Sequence, residues 1–363
     1  MDNNNHKEKQ PLFHITKRNE MPVWQAMSVR VIAVMAALLL CMILSFILIG
    51  INPGKMLVSM ITGSFGSQRR VWKFFKDLAV LLCISLAVTP AFRMKFWNIG
   101  AEGQTLIGCL ASVACIINLG GKVSEPLLVI IMLAASLAAG AIWGLIPAIF
   151  KAIWDTNETL FTLMMNYIAT FIVSYYLMVW TPSGSSTLGA LKYGFLPVVF
   201  HNYFLLILVV VILTVLIYVY LNYSKHGYEI SVVGESRRTA LYIGINVKKV
   251  IVRTMALSGA LCGLAGFLIV SALDHSITTN SVGGQGFTAI MVSWLAKFNP
   301  LAMAGTSALI TFLNQGASQI STDFNIDSAF PNIIVGIIIF FIIGCEFFIY
   351  YKVNFRHKGK EAK

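Results

Sequence analysis

Ten long apolar runs, separated by short polar segments, limit what this chain can fold into. The 363-residue sequence is 57% hydrophobic and only 12% charged, and its mean hydropathy is +0.78. Because a helix of about 20 apolar residues crosses a bilayer, we expect an all-α polytopic membrane protein with about ten transmembrane helices. The runs lie at about residues 30–51, 77–93, 103–119, 126–149, 158–180, 203–222, 253–273, 285–298, 300–319 and 329–350.

The polar segments divide the chain into an N-terminal tail (1–28), a transmembrane domain (29–351) and a C-terminal tail (352–363). The transmembrane domain includes a basic loop at 223–252. Most of the 27 Lys and Arg residues lie in the two tails and this loop, so the positive-inside rule predicts that all three are cytoplasmic. The basic cluster at 69–76 fits this topology poorly, because it falls in a segment predicted to be outside.

The basic loop contains a short helix signal, GESRRTALYIGINVKKV (Gly234–Val250). Ser236 is a suitable N-cap, and Gly244 suits the left-handed residue that closes a helix about two turns later. A helix this short cannot cross a bilayer. The sequence therefore predicts a capped cytoplasmic helix, which either only fixes the topology or is a contact through which a soluble partner moves the membrane domain.

A first polar group, Asn98, Glu102 and Gln104, interrupts the apolar sequence in FWNIGAEGQ. A charge at the bilayer centre costs about 2.5–3.5 kcal/mol even on lenient scales. Glu102 therefore either has a compensating role at membrane depth, or lies at the cytoplasmic interface as the acid of a helix start. The sequence leaves both interpretations open.

Two further groups are candidates for the lining of a path. Asn166 and Tyr167 lie inside the fifth apolar run, where a buried Asn either joins helices or faces a cavity. Gln285, Phe287 and Trp294 combine an amide with aromatic rings, which suits a small polar ligand with a flat face, although such residues also fill ordinary membrane cores.

Glycines indicate close helix packing and a weak internal repeat. Gly259, Gly263 and Gly266 share one helix face, and the fourth run repeats the spacing at Gly140 and Gly144, as expected of a packing seam. Glu-Gly-Gln opens the third run and Gly-Gln-Gly opens the eighth. The ten spans could therefore form two inverted five-helix halves, an architecture common among transporters.

The sequence carries no familiar motif of catalysis. The chain lacks GxxxxGK[ST], HExxH and GxSxG, and its six cysteines lie in apolar runs without metal-ligand spacing. We therefore expect no enzyme activity, cofactor or metal. Two hypotheses use the charged residues near the apolar runs. One is a secondary transporter driven by an ion gradient, with Glu102 as the membrane acid, and the other is a non-transporting membrane enzyme or assembly factor that uses Glu102 or the Asp274–His275 pair as acid and base.

The polar stretches, taken in order, resemble the membrane-permease subunits of bacterial ABC importers for ribose-type sugars and nucleosides, and are most similar to the nucleoside permeases. One departure is Ser236-Arg237-Arg238 after Gly234-Glu235, where family members often have Asn or Pro and another acid. The resemblance rests on FWNIGAEGQ, TNETLFTLMMNYIA, GESRRTALYIGINVKKV, LSGALCGLAG and GQGFTAIMVSWLAKFNPLAM.

The resemblance implies a multi-pass protein of the bacterial plasma membrane that forms the translocation path for nucleosides, or alternatively for ribose-type sugars. A cytoplasmic ATPase would bind ATP and dock on the short helix, a second permease would form a heterodimer with this chain, and an extracellular lipoprotein would deliver substrate. The coupling residues would be Gly234, Glu235, Ser236, Arg237, Arg238, Ala240 and Gly244. The substrate-path residues would be Asn98, Glu102, Gln104, Asn166, Tyr167, Gln285, Phe287 and Trp294.

Overall fold

The computed structural model describes residues 13–18, 21–50, 52–181, 187–327 and 329–355. In chain order the helices are α1 (Val23–Ile49), α2 (Pro53–Phe65), α3 (Gln68–Arg93), α4 (Ala101–Leu119), α5 (Glu125–Trp154), α6 (Glu158–Trp180), α7 (Phe204–Tyr223), α8 (Lys225–Glu235), α9 (Arg237–Tyr242), α10 (Val247–Ile269), α11 (Gln285–Leu295), α12 (Pro300–Phe324) and α13 (Ala329–Tyr350). Two short strands, β1 (Phe13–Lys17) and β2 (Tyr351–Phe355), pair antiparallel. The prediction of an all-α polytopic membrane protein is confirmed.

Within the described residues, eight helices are long and apolar enough to cross a membrane, and they coincide with eight of the ten predicted spans. The other two spans are helical but differ in kind. Helix α11 has 11 residues and is about 16 Å long, which is too short for a bilayer. Helix α12 has 25 residues, but Asn314, Gln315 and Gln319 reduce its hydropathy.

The second predicted span begins earlier than expected. Helix α3 starts at Gln68, so the basic segment 69–76 forms its first turns rather than a loop. The ring of Trp72 stacks on His201 with centroids 4.0 Å apart, and Lys76 Nζ lies 5.8 Å from the centroid of Tyr203. Because these contacts cover part of the basic turns, the helix extends beyond its apolar sequence.

The chain forms two compact units, and the smaller comprises residues 1–63 and 313–363. In it α1 and α13 pack together, and Cys41 Sγ donates to the carbonyl of Ile334 at 3.8 Å. An ion pair of 2.7 Å joins Arg30 and Glu346. This unit thus pairs the first and last candidate spans.

The larger unit, residues 64–312, is built around α3 and α10. In the most apolar part of each helix, 78% of the residues are buried in α3 and 72% in α10 with the turn that follows it. In α5, α6 and α7 no more than a third are buried, so only one face of each points inward. This burial pattern places α3 and α10 at the centre of the unit.

Glycines bring α4, α5 and α10 into backbone contact, as the seam prediction requires. A Cβ added to Gly140 would clash with the carbonyl of Gly259, and one added to Gly263 would clash with the carbonyl of Ser136. On the other side of α10, a Cβ at Gly108 would lie 2.7 Å from Gly263 Cα. The predicted packing seam is therefore confirmed, and it joins three helices.

The loop between α6 and α7 lies over the end of α10. A π-helical turn, Val270–Asp274, follows α10, and the carbonyls at the end of a helix need donors from elsewhere. Leu196 N donates to Ser271 O at 3.1 Å, and Leu191 N donates to His275 O at 2.8 Å. The described part of this loop, 187–202, therefore caps the end of α10.

Candidate functional site

The predicted short capped helix is present as α9. Ser236 Oγ accepts a hydrogen bond from Thr239 N at 3.2 Å, and Gly244 has a φ of 82°, so both capping predictions are confirmed. Ala240 is fully buried, whereas 62% of Leu241 and 93% of Tyr242 are exposed. One face of α9 thus anchors it, and the other offers an apolar and an aromatic side chain.

Gly234 locks the segment before α9 against the end of α3. A Cβ at this position would clash with the carbonyl oxygen of Arg93 and lie 3.3 Å from Met94. Its neighbour Glu235 and the nearby Arg238 are exposed. The close approach of Gly234 therefore packs the end of α8, directly before α9, against the end of α3.

An ionic chain connects α9 to two long helices. Arg237 donates to Asp155 Oδ1 at 3.2 Å, and Lys151 Nζ lies 2.8 Å from Asp155 and 2.9 Å from Glu158. The hydrogen bond from Lys151, followed by that from Arg237, lowers the pKa of Asp155 below its usual value. Lys151 and Glu158 are only 10% and 13% exposed, so their contact is shielded from water.

Asn98 and Gln104 form a buried amide pair at the start of α4. Asn98 Nδ2 donates to Gln104 Oε1, and Gln104 Nε2 donates to Asn98 Oδ1, both at 3.2 Å. Asn98 Nδ2 also lies 3.3 Å from Ser258 Oγ. Ser258 is about 16 Å along α10 from the first residue of that helix. The loop 94–100 therefore reaches well inside the helical unit, and these amides stabilise its entry.

Glu102 occupies a meeting point of two helix starts. It lies in the first turn of α4, and its two carboxylate oxygens accept hydrogen bonds from Gly284 N and Gly286 N, each at 2.8 Å. Gly284 is the residue directly before α11, and Gly286 lies in the first turn of that helix. Both helix dipoles favour a negative charge here, and with the two hydrogen bonds they compensate for the partial burial of Glu102.

Asn166 holds the same junction from α6. Its Oδ1 accepts from Gly103 N at 2.9 Å, and its Nδ2 donates to Ile99 O at 2.9 Å. One turn earlier, Thr162 Oγ1 accepts from Ile99 N at 3.1 Å. These contacts pair backbone groups of Ile99 and Gly103, where the irregular segment enters α4.

The aromatic candidates lie on the accessible side of this junction. The exposed fractions are 57% for Tyr167, 42% for Phe287 and 49% for Trp294. Trp97, 43% exposed, contacts Trp294 with ring centroids 5.2 Å apart. Gln285 Oε1 is buried and lacks a hydrogen-bond partner among the described residues.

The predicted path residues therefore fall into two groups, buried residues that stabilise the junction and exposed aromatic residues. Asn98, Gln104 and Asn166 are buried and satisfy one another or the backbone, while Tyr167, Phe287 and Trp294 remain available for contact. Sequence reasoning missed Trp97 and Thr162. The spacing of Thr162, four residues from both Glu158 and Asn166, was the signal that could have identified it.

Comparisons with known proteins agree with this architecture. The family model described as the permease component of branched-chain amino acid transport systems matches residues 72–343. The guanosine ABC transporter permease protein NupP of Bacillus subtilis is 30% identical over 77% of this chain and 82% of its own length. The nucleoside ABC transporter permease protein NupB of Lactococcus lactis is 25% identical over 81% of this chain and 84% of its own length.

A sugar transporter is similar over nearly the whole sequence. The glucose ABC transporter permease protein TsgB13 of Haloferax volcanii is 28% identical over 96% of both chains. These relatives confirm the resemblance to nucleoside- and sugar-type ABC permeases that the polar motifs carry. Because the family model covers most of the chain, this protein belongs to the permease family whose description is the permease component of branched-chain amino acid transport systems.

Proposed function

We propose that this chain is the transmembrane subunit of an ATP-driven importer and forms one side of a path for nucleosides. The observation that carries the proposal is the exposed aromatic group, Trp97, Phe287 and Trp294, beside the Glu102 junction. Aromatic faces stack on a flat base, and amides near them can select polar edges. The nucleoside and guanosine specificities in the names of NupB and NupP support the same substrate class.

The proposal includes partners for both faces of the membrane. A cytoplasmic ATPase would dock on the exposed side of α9 and supply ATP hydrolysis, because this sequence has no phosphate-binding loop. A second, related permease would complete the path as a heterodimer, and an extracellular lipoprotein would deliver substrate. Both termini would lie in the cytoplasm of a bacterial cell.

Uptake of labelled nucleoside, ribose and glucose, with and without this chain, tests the proposal in the native cell. Loss of nucleoside uptake alone is the expected result. Loss of sugar uptake alone would reassign the substrate and favour the specificity of the TsgB13 type. Unchanged uptake of all three would contradict the proposal, as would uptake that stops with a protonophore while ATP is held constant.

The close approach at Gly234 gives a prediction about coupling. Gly234→Leu would push α8 away from the carbonyl of Arg93, so we expect ATP hydrolysis to persist while uptake falls by roughly tenfold or more. The measurement compares hydrolysis and uptake in proteoliposomes. Gly336→Leu is the control, because a Cβ at Gly336 meets no atom within 4 Å. Normal uptake by Gly234→Leu would count against α9 as the coupling contact.

A further inference from the structure

Helix α6 carries three polar side chains at a spacing of four residues. Glu158, Thr162 and Asn166 therefore lie on one face, which we call the α6 stripe. The side chains are shielded: Glu158 is 13% exposed, Thr162 is fully buried, and Asn166 is 6% exposed. A polar row buried in this way requires partners, and each member of the stripe has them.

The first member of the stripe is tied to helix α9. Glu158 pairs with Lys151 at 2.9 Å, Lys151 pairs with Asp155 at 2.8 Å, and Asp155 accepts from Arg237 of α9. Asn157 Oδ1 accepts from Leu160 N at 3.1 Å and caps the start of α6. Charged contacts therefore link α9 to the first turn of α6, and the Arg237–Asp155 contact is the solvent-exposed end of this link.

The other two members hold the segment that enters α4. Thr162 accepts from Ile99 N, and Asn166 binds both Ile99 O and Gly103 N. A Cβ at Gly103 would lie 2.9 Å from Asn166 Cα, so the backbones are in close contact. About 12 Å of helix separates Glu158 from Asn166, and a helix of two turns transmits displacement as a rigid body.

The held segment continues directly into the junction with α11. Glu102, next to Gly103, binds the amides of Gly284 and Gly286, and α11 presents Phe287 and Trp294 on its exposed face. Ion pairs and hydrogen bonds, joined through helix α6 and the backbone of Glu102–Gly103, thus connect Arg237 to the start of α11.

We propose that the α6 stripe is the positioning element that links helix α9 to the α4–α11 junction. This inference rests on the proposed importer function and assigns it a mechanical path. When a partner displaces α9, the ion pairs at Glu158 displace α6, and Asn166 moves the start of α4 with it. The aromatic face of α11 follows because Glu102 holds its first turn.

The test compares Asn166→Leu with Thr170→Val in proteoliposomes that contain this chain with its ATPase, partner permease and binding protein. Leucine keeps the branched shape of Asn166, with a larger volume, and removes both hydrogen bonds with the segment 99–103. Thr170 follows on the same face, but among the described residues its hydroxyl donates only to Asn166 O in its own helix. We expect uptake per ATP hydrolysed to fall roughly tenfold for Asn166→Leu and to change by less than about twofold for Thr170→Val.

A second variant tests the opposite end of the stripe without removing a buried hydrogen-bonding group. Glu158→Gln keeps an oxygen acceptor for Lys151 but removes the charge, and it should lower uptake per ATP in the same direction. If both ends act through one path, the double variant loses less than the product of the two single losses.

The outcomes separate this inference from the proposed function. A wild-type complex without ATP-driven uptake would overturn the proposed function itself. A wild-type complex that transports, with Asn166→Leu folded and its uptake per ATP unchanged, would overturn the α6 stripe alone. If Asn166→Leu fails to fold, an unchanged ratio in Glu158→Gln overturns the stripe in its place.

Discussion

Replacing Gly263 with leucine is expected to leave little of the larger unit folded. A Cβ at Gly263 would clash with the carbonyl of Ser136 on α5, and α4 approaches the other side through Gly108. The obstructing atoms are backbone, so no rotamer change relieves the clash and the helices must separate. Overpacking typically costs about 1–3 kcal/mol, and a backbone obstacle places this substitution at or above the upper end.

Thermal unfolding of the detergent-purified chain, followed by the fraction that remains monodisperse, measures the effect. Gly263→Ala should lower the midpoint, and Gly263→Leu should leave little folded protein to measure. Gly305→Leu is the matched control, since Gly305 is also helical and a Cβ there meets no atom within 4 Å. A wild-type midpoint for Gly263→Leu would show that α4, α5 and α10 do not pack as described.

The features that the sequence predicts correctly are those decided locally. Ser236 and Gly244 have cap chemistry that depends on a few neighbouring residues, and both take the expected positions. Helical periodicity alone places the glycines of α10 on one face. In the same way, eight apolar runs coincide with helices able to span a bilayer in the described residues.

The features that the sequence does not predict depend on contacts between distant parts of the chain. Glu102 and Gly284 are 182 positions apart. Nothing in Glu-Gly-Gln or in Gly-Gln-Gly shows that the carboxylate of Glu102 caps the helix that begins after Gly284. Hydropathy alone extends the eighth run to residue 298, although α11 ends at Leu295. Helix α3 begins at Gln68, ahead of the predicted start of its span at residue 77. The sequence does not show that His201 and Tyr203 contact the basic turns at this end of the helix.

Glu102 could act either as a substrate contact or as the cap of α11, and its position in the structure distinguishes the two roles. As a substrate contact it would affect the apparent affinity for substrate, whereas as the cap of α11 it would affect the shape of the protein even without substrate. The structure favours the second role, because both oxygens already accept backbone hydrogen bonds at 2.8 Å. A buried donor left unpaired costs about 1–3 kcal/mol, and Glu102→Ala removes the acceptor of Gly286 N and of the partly buried Gly284 N.

We therefore expect Glu102→Ala to abolish uptake while the protein still inserts, and Glu102→Gln to retain part of it. Glutamine can accept from one glycine amide, but its NH2 group would face the other. A cysteine at Phe287, on the exposed side of α11, reports the geometry: its labelling rate by a water-soluble maleimide, measured without substrate, should change in both variants because the first turn of α11 is released.

Glu125→Gln is the matched control for this experiment. Glu125 also accepts a backbone hydrogen bond, from Gly194 N at 3.0 Å, but it is exposed and lies at the start of α5. Its replacement should leave labelling at position 287 unchanged. If Glu102→Gln shows wild-type labelling and only a raised substrate concentration for half-maximal uptake, Glu102 contacts the substrate instead. A loss of uptake that comes with altered labelling before substrate is added would identify Glu102 as the residue that keeps α4 and α11 in register.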